Sequence, residues 1–217
     1  MEKGELMEIT FRLLDNSKSI QDKILNAMLP EVQKMMDRGI LKIKSNLPNI
    51  VRRAIENSEE YQSLQSGKLK YEFGIDNVDS KLASLLTVWS TNISYNYQKP
   101  FIRTNTIGGS FSASMIRADF SDVLYADFAA VVDTVRGYTL PWLEWLLLEG
   151  NKTIIKDYAV KFGPNRASRT GYAIMQSSKT SWKVPSEFAG TLNDNWITRA
   201  LDRAEPEIQQ MLDGAFV

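Results

Sequence analysis

Met7, Ile9, Phe11 and Leu13 alternate with Glu8, Thr10 and Arg12. That period of two predicts a strand. Asp15-Asn16-Ser17 then offers a turn and a helix cap. From Lys18 to about Asn57 the period lengthens. Ile20, Ile24, Met28, Val32, Met35, Met36, Ile40, Ile43, Leu47, Ile50, Val51 and Ile55 recur at threes and fours. This spacing predicts a long amphipathic helix packed on a sheet. A partner-facing coiled coil is the sharper alternative, although the heptad is not strict. Pro30 and Pro48 sit inside the run, and each removes an N–H and crowds the preceding turn, so kinks or breaks are expected near them.

Gly67 and Gly74 punctuate the next stretch as turn or helix-end positions. Asp76, Asn77 or Asp79 caps a short helix through Leu82, Leu85 and Leu86, ending near Trp89. Thr91 to Gln98 and Ser110 to Arg117 alternate and are rich in β-branched, aromatic and small residues. They predict two strands of one antiparallel sheet. Asp119 to Asp127 reads as one helical turn or a connecting loop. Leu140 to Gly150 predicts a compact helix with Pro141 in its first turn and Gly150 past its end. Lys152 to Gly163 follows as a strand. Residues 164–183 form a projecting basic excursion, carrying Arg166, Arg169, Lys179 and Lys183 and no acid. A final helix, capped by Thr191, Asn193 or Asp194, has Trp196, Ile197, Ala200, Leu201, Ala204, Ile208, Met211 and Leu212 on its apolar face. The fold class expected is α+β: long N-terminal and C-terminal helices on an antiparallel sheet, with a projecting loop or hairpin. Residues 1–217 are expected to form one domain.

Composition narrows the chemistry. Hydrophobic residues make up 43% and charged residues 24%, which suits a chain with a sizeable core. There is no histidine and no cysteine. Ser-His-Asp triads, Cys-His dyads, disulfides and the usual zinc ligand sets therefore cannot be built. Lys plus Arg and Asp plus Glu are both 26, without the positive excess of a dedicated nucleic-acid binder. Lys42, Lys44, Arg52 and Arg53 nevertheless form a local basic run. No apolar stretch approaches a membrane span, and the charged Met1 to Glu5 segment leads into no signal-type apolar core, so folding in a cytoplasm is expected. No cofactor and no metal are expected.

Several runs taken together resemble the virion structural proteins of tailed bacteriophages. They are Leu140-Pro-Trp-Leu-Glu-Trp-Leu-Leu-Leu-Glu-Gly150, the Gly-Pro-Asn-Arg-Ala-Ser-Arg-Thr-Gly-Tyr-Ala-Ile-Met run at 163–175, and Trp182-Lys-Val-Pro-Ser-Glu-Phe-Ala-Gly-Thr191 with Asn195-Trp-Ile-Thr-Arg-Ala-Leu201. Glu60 to Gly74 fits the same group. The order is similar to that of head–tail joining and tail-completion proteins: a basic helix, a Gly-x-Leu segment, a sheet and a closing Ile-Thr-Arg-Ala-Leu helix. The chain is longer than the simplest joining proteins, and the Trp142/Trp145 helix is an insertion they generally lack.

The resemblance implies a non-enzymatic subunit of a ring in the neck of the virion, between portal or adaptor and tail. The alternative station is a tail terminator capping the tail tube. The partners implied are other copies of the chain, the neighbouring virion proteins and, non-specifically, packaged DNA; no membrane is involved. Candidate interface residues are Trp142, Trp145, Trp182, Phe188, Trp196 and Arg199; the alternative for the Trp142/Trp145 helix is the core of the monomer, and Arg199 is expected either to pair with a carboxylate of an adjacent subunit or to stand as an exposed helix charge. Arg166, Arg169, Lys179 and Lys183 are candidates for a channel or partner patch. The competing enzyme class is a carboxylate-dependent lysin or nuclease, using Asp119, Asp122 and Asp127 or Glu144 and Glu149. Neither set meets a recognised motif.

Overall fold

The computed structural model describes residues 16–116, 119–133 and 137–216. The strand expected at residues 7–13 lies outside them. The architecture is α+β, with long first and last helices and antiparallel two-stranded sheets. Helix α1 runs Ser17–Glu56, about 60 Å at 1.5 Å per residue. Asn16 caps it, accepting from the Ser19 N–H at 2.8 Å. Pro30 and Pro48 lie inside the helix, and neither breaks it. Pro48 is flanked by Leu47 and Ile50, both buried in the core. Packing on both sides of the missing hydrogen bond holds the turn. Buried positions of α1 begin at Gly39 and continue through Ile40, Ile43, Leu47, Ile50, Val51 and Ile55.

Helices α2 (Glu59–Gln65), α3 (Lys68–Phe73), α4 (Val78–Thr91), α5 (Ser121–Leu124), α6 (Trp142–Leu147) and α7 (Trp196–Ala215) complete the α-helices of the described residues, with one short 3-10 turn at Asp127–Ala129. All but α5 gather with the C-terminal half of α1 around one apolar core, to which Val123 of α5 also belongs. Trp89 and Trp196 meet edge to face at its centre, their ring centroids 5.4 Å apart. Helix α7 lies against α1. The Arg53 guanidinium pairs with Glu207, and a side chain on Gly39 would collide with the Phe216 ring. Helix α6 docks even more closely. A Cβ on Gly190 would stand 1.8 Å from the Leu146 carbonyl oxygen, so only glycine permits this approach.

Strands β1 (Ile93–Arg103) and β2 (Thr106–Met115) form the expected antiparallel hairpin. It leaves the core beside α1 and follows that helix outward. Lys44 lies over the Tyr95 ring, Tyr97 donates to Asp37 at 2.8 Å, and Gln33 donates to the Pro100 carbonyl at 2.7 Å. Pro100 falls at a bulge between Gln98 and Phe101, where its missing N–H costs no ladder bond.

Three further ribbons pair β3 (Val131–Asp133) with β4 (Tyr138–Leu140), β5 (Thr153–Ile155) with β8 (Trp182–Lys183), and β6 (Tyr158–Phe162) with β7 (Ala173–Ser177). The single strand expected over 152–163 is therefore two. Asp157 adopts the left-handed φ of 60°, which turns the chain and hands β6 to a different partner. The α6 helix covers six residues of the expected run, with Pro141 just before it. No helix among the described residues is long and apolar enough to cross a membrane.

Candidate functional site

The six candidate interface residues fall mostly inside the subunit. Trp142 and Trp196 have no exposed surface and Trp182 is buried. Trp142 Nε1 donates to the Phe128 carbonyl at 3.0 Å, and Trp196 Nε1 donates to Ser58 Oγ at 2.6 Å. These three side chains leave no face for a neighbour. The helix that carries Trp142 resolves as core, because four of its six residues are buried. Trp145 and Phe188 are half-buried and pack against the same core.

Arg199 has its partners within the chain. Its Nε donates to Glu60 Oε1 at 2.9 Å, and its Nη1 donates to Asp194 Oδ1 at 2.7 Å. Nη2 lies 2.8 Å from the same Glu60 oxygen, off the line of a hydrogen bond. Burial opposes the charge on Arg199, and the bonds from Asp194 and Glu60 outweigh it and raise the pKa. The expectation that Arg199 reaches a carboxylate of an adjacent subunit gives way to this internal pair.

The basic excursion resolves into the end of the β6–β7 hairpin and the approach to β8. Arg166, Lys179 and Lys183 are exposed there. Arg169 is engaged instead: its Nη2 donates to Asp133 Oδ2 and to the Tyr138 hydroxyl, each at 3.1 Å, and Nη1 lies 3.4 Å from the Gly74 carbonyl. It ties the hairpin loop to α3 and to the β3–β4 ribbon. Three of the five candidate carboxylates also have local partners. Asp119 accepts from the Ser121 N–H, Asp122 from Asn92, and Glu149 pairs with Lys152. Among the described residues no group of three His, Cys, Asp or Glu stands close enough to hold a metal.

Two features outside those expectations remain. The first is the N-terminal half of α1 with the β1–β2 hairpin beside it. Ile20, Ile24, Met28 and Met35 are open to solvent, at 52% for Ile24 and 50% for Met28. At 100° per residue these four fall within one narrow stripe of the helix. Phe101 of the hairpin is exposed as well. The sequence marked these helix positions as apolar and periodic, and the missing signal was which half of the helix meets the core.

The second is a groove of about 990 Å³ bounded by α3, β3–β4, β5, β6–β7 and Trp182. Aromatic side chains line it: Tyr71, Phe73, Tyr138, Tyr158 and Trp182. Glu72 lies among them with its side chain 7% exposed. Burial pushes the Glu72 carboxyl above its ordinary range; Lys68, 3.6 Å away, opposes this, and Glu187 adds to it. Glu72 Oε2 and Trp182 Nε1 are both buried without a hydrogen-bond partner. The indole N–H is near enough to favour the carboxylate, yet the pair does not meet hydrogen-bond geometry. No motif announced this groove, since its residues come from elements far apart in the chain. No family model, no curated protein and no solved structure matches the chain.

Proposed function

We propose that this chain is a non-enzymatic structural subunit of the head–tail connector of a tailed phage, a neck or tail-completion protein working as part of a ring. The runs at 140–150, 163–175 and 182–201 that resemble phage virion proteins support this reading. The structural observation that carries it is the apolar stripe on α1, Ile20, Ile24, Met28 and Met35, open to solvent at the end of the helix that leaves the core. Isolated monomers rarely leave contiguous apolar surface uncovered, and such surface marks contacts with other proteins. A ring assembles head to tail, so each copy offers two different surfaces to its neighbours. The helix-and-hairpin arm supplies one of them in this reading. Gln33, Asp37 and Lys44 hold the hairpin along the helix. The arm is thereby ordered before assembly, which lowers the entropy lost on docking.

The test is electron microscopy of lysates from a phage in which this gene is silenced. Filled heads accumulating beside finished, unattached tails are the expected result. Overlong or uncapped tails assign the chain to the tail terminator instead. Normal infectious particles overturn the structural role.

A further inference from the structure

We infer that the apolar stripe on α1 seats residues 7–13 of a neighbouring copy, laid in the same direction as the helix. The inference rests on the ring reading above and deepens it. A head-to-tail contact needs two different surfaces, and the stripe supplies only one. Residues 1–15 precede the described structure, which opens at the Asn16 cap, four residues before Ile20. Within them Met7, Ile9, Phe11 and Leu13 alternate with Glu8, Thr10 and Arg12. Extended, such a segment carries one apolar face and one polar face. The two faces match in length and spacing. Met7 to Leu13 then spans about 20 Å, with apolar side chains about 6.6 Å apart. Ile20 to Met35 covers about 22 Å of helix, and Ile20, Ile24 and Met28 follow one another at about 6 Å.

Charge sets the direction. Glu31 is exposed, and at about 100° per residue it falls on the stripe between Met28 and Met35. It stands about 16 Å along the axis from Ile20. With the segment parallel to the helix and Met7 abreast of Ile20, Arg12 comes level with Glu31 and Glu8 comes near Lys23. Opposite charges then meet at both places. Reversed, with Leu13 abreast of Ile20, Glu8 comes level with Glu31 and Arg12 comes near Lys23, so like charges meet instead. Direction in turn decides whose segment it is. In the parallel arrangement Leu13 lies near the level of Met35, about 28 Å along the axis from Asn16. From Leu13 to Asn16 the chain reaches at most about 11 Å. A subunit's own segment is therefore too short to take this seat, and a neighbour's is not.

The chain has no cysteine, so introduced cysteines report without background. Full chains carrying Met7→Cys are mixed with full chains carrying Ile20→Cys or Met35→Cys and treated with a short bis-maleimide. Ile20 and Met35 are exposed, so these changes leave the fold intact, and circular dichroism checks this. A cross-linked pair with Ile20→Cys on a denaturing gel, and little with Met35→Cys, is the expected result. Adding Arg12→Glu to the first chain, or Glu31→Arg to the second, should lower that yield roughly fivefold, and both together should restore it. Preference for Met35→Cys overturns the inference, because the segment then runs the other way. Closure within one chain carrying both Met7→Cys and Met35→Cys overturns it too, because the subunit then covers its own stripe. No cross-linked pair, at concentrations where the natural chain gains mass, removes this segment as the occupant and leaves the ring contact standing. Cross-linking as expected, with normal particles after the gene is silenced, keeps the seat and removes the connector role.

Discussion

Arg199 and Glu60 are held together inside the subunit, and separating them strands a charge. The Glu60 side chain is 2% exposed, and one of its oxygens already lacks a partner. Arg199→Ala should cost about 3–5 kcal/mol, because the carboxylate stays buried without its cation. Urea unfolding measures this, and adding Glu60→Gln to that variant should recover part of the loss. A full-sized loss that Glu60→Gln leaves unchanged would show that Arg199 acts through packing alone. Glu72 presents the opposite case. Its pKa is raised in the fold, so the native state favours the protonated form. Stability from this group is complete below the ordinary value of 4.5 and falls as pH rises through the raised value. Glu72→Gln carries no charge at any pH. The variant should therefore gain on the natural chain as pH is taken from about 4 to 7. A difference that is flat or reversed over that window contradicts the burial account.

Helix α7 begins at a reciprocal cap. Asn195 Oδ1 accepts from the N–H groups of Ile197 at 3.0 Å and Thr198 at 3.1 Å, while Thr198 Oγ1 accepts from the Asn195 N–H at 2.8 Å. The Asn195 amide also donates to the Thr191 and Leu192 carbonyls. Asn195→Ala should cost up to about 2 kcal/mol, the upper end for a cap, since the residue is fully buried. Asn195→Asp keeps the acceptor but loses the amide donors, and thermal unfolding should place it between the two. The sequence identified the helix and missed its cap, naming Thr191, Asn193 or Asp194. Four polar residues crowd that corner, and only Asn195 has a hydroxyl three positions on to close the box. Other elements divide in the same way. The β1–β2 hairpin was legible because alternation is a local signal. The split of 152–163 was not, because the turn at Asp157 depends on β8 and β7 being available as separate partners. Trp142 and Trp196 were legible as buried anchors, but whether they face the core or a neighbour was not, since an apolar run has the same composition in either place. The groove was the least legible feature, because Glu72, Tyr158 and Trp182 become neighbours only once the three ribbons have formed.

At the scale of the whole molecule, the core and the arm are separable. Ile43, Leu47, Val51 and Ile55 of α1 are buried against the other helices, while Ile20, Ile24 and Met28 of the same helix face solvent. One helix thus serves two surfaces, and a substitution reports on one or the other according to its place. Ile24→Glu with Met28→Glu converts the centre of the exposed stripe from apolar to charged. Glutamate is about as good a helix former as methionine and better than isoleucine, so α1 should persist. Surface changes of this kind lie within about 0.5 kcal/mol, and the urea midpoint should stay near that of the natural chain. Association should fail, because two buried carboxylates per contact lose their hydration without a partner. Light scattering across a concentration series reads the mass of each, and incorporation into particles reads assembly directly. The natural chain should gain mass with concentration, and the variant should stay monomeric and be absent from particles. A variant that unfolds places the stripe in the core. A variant that enters particles at the natural level removes the stripe from the ring contact and leaves the remaining exposed apolar residues, Tyr125 and Leu41 foremost, to supply it.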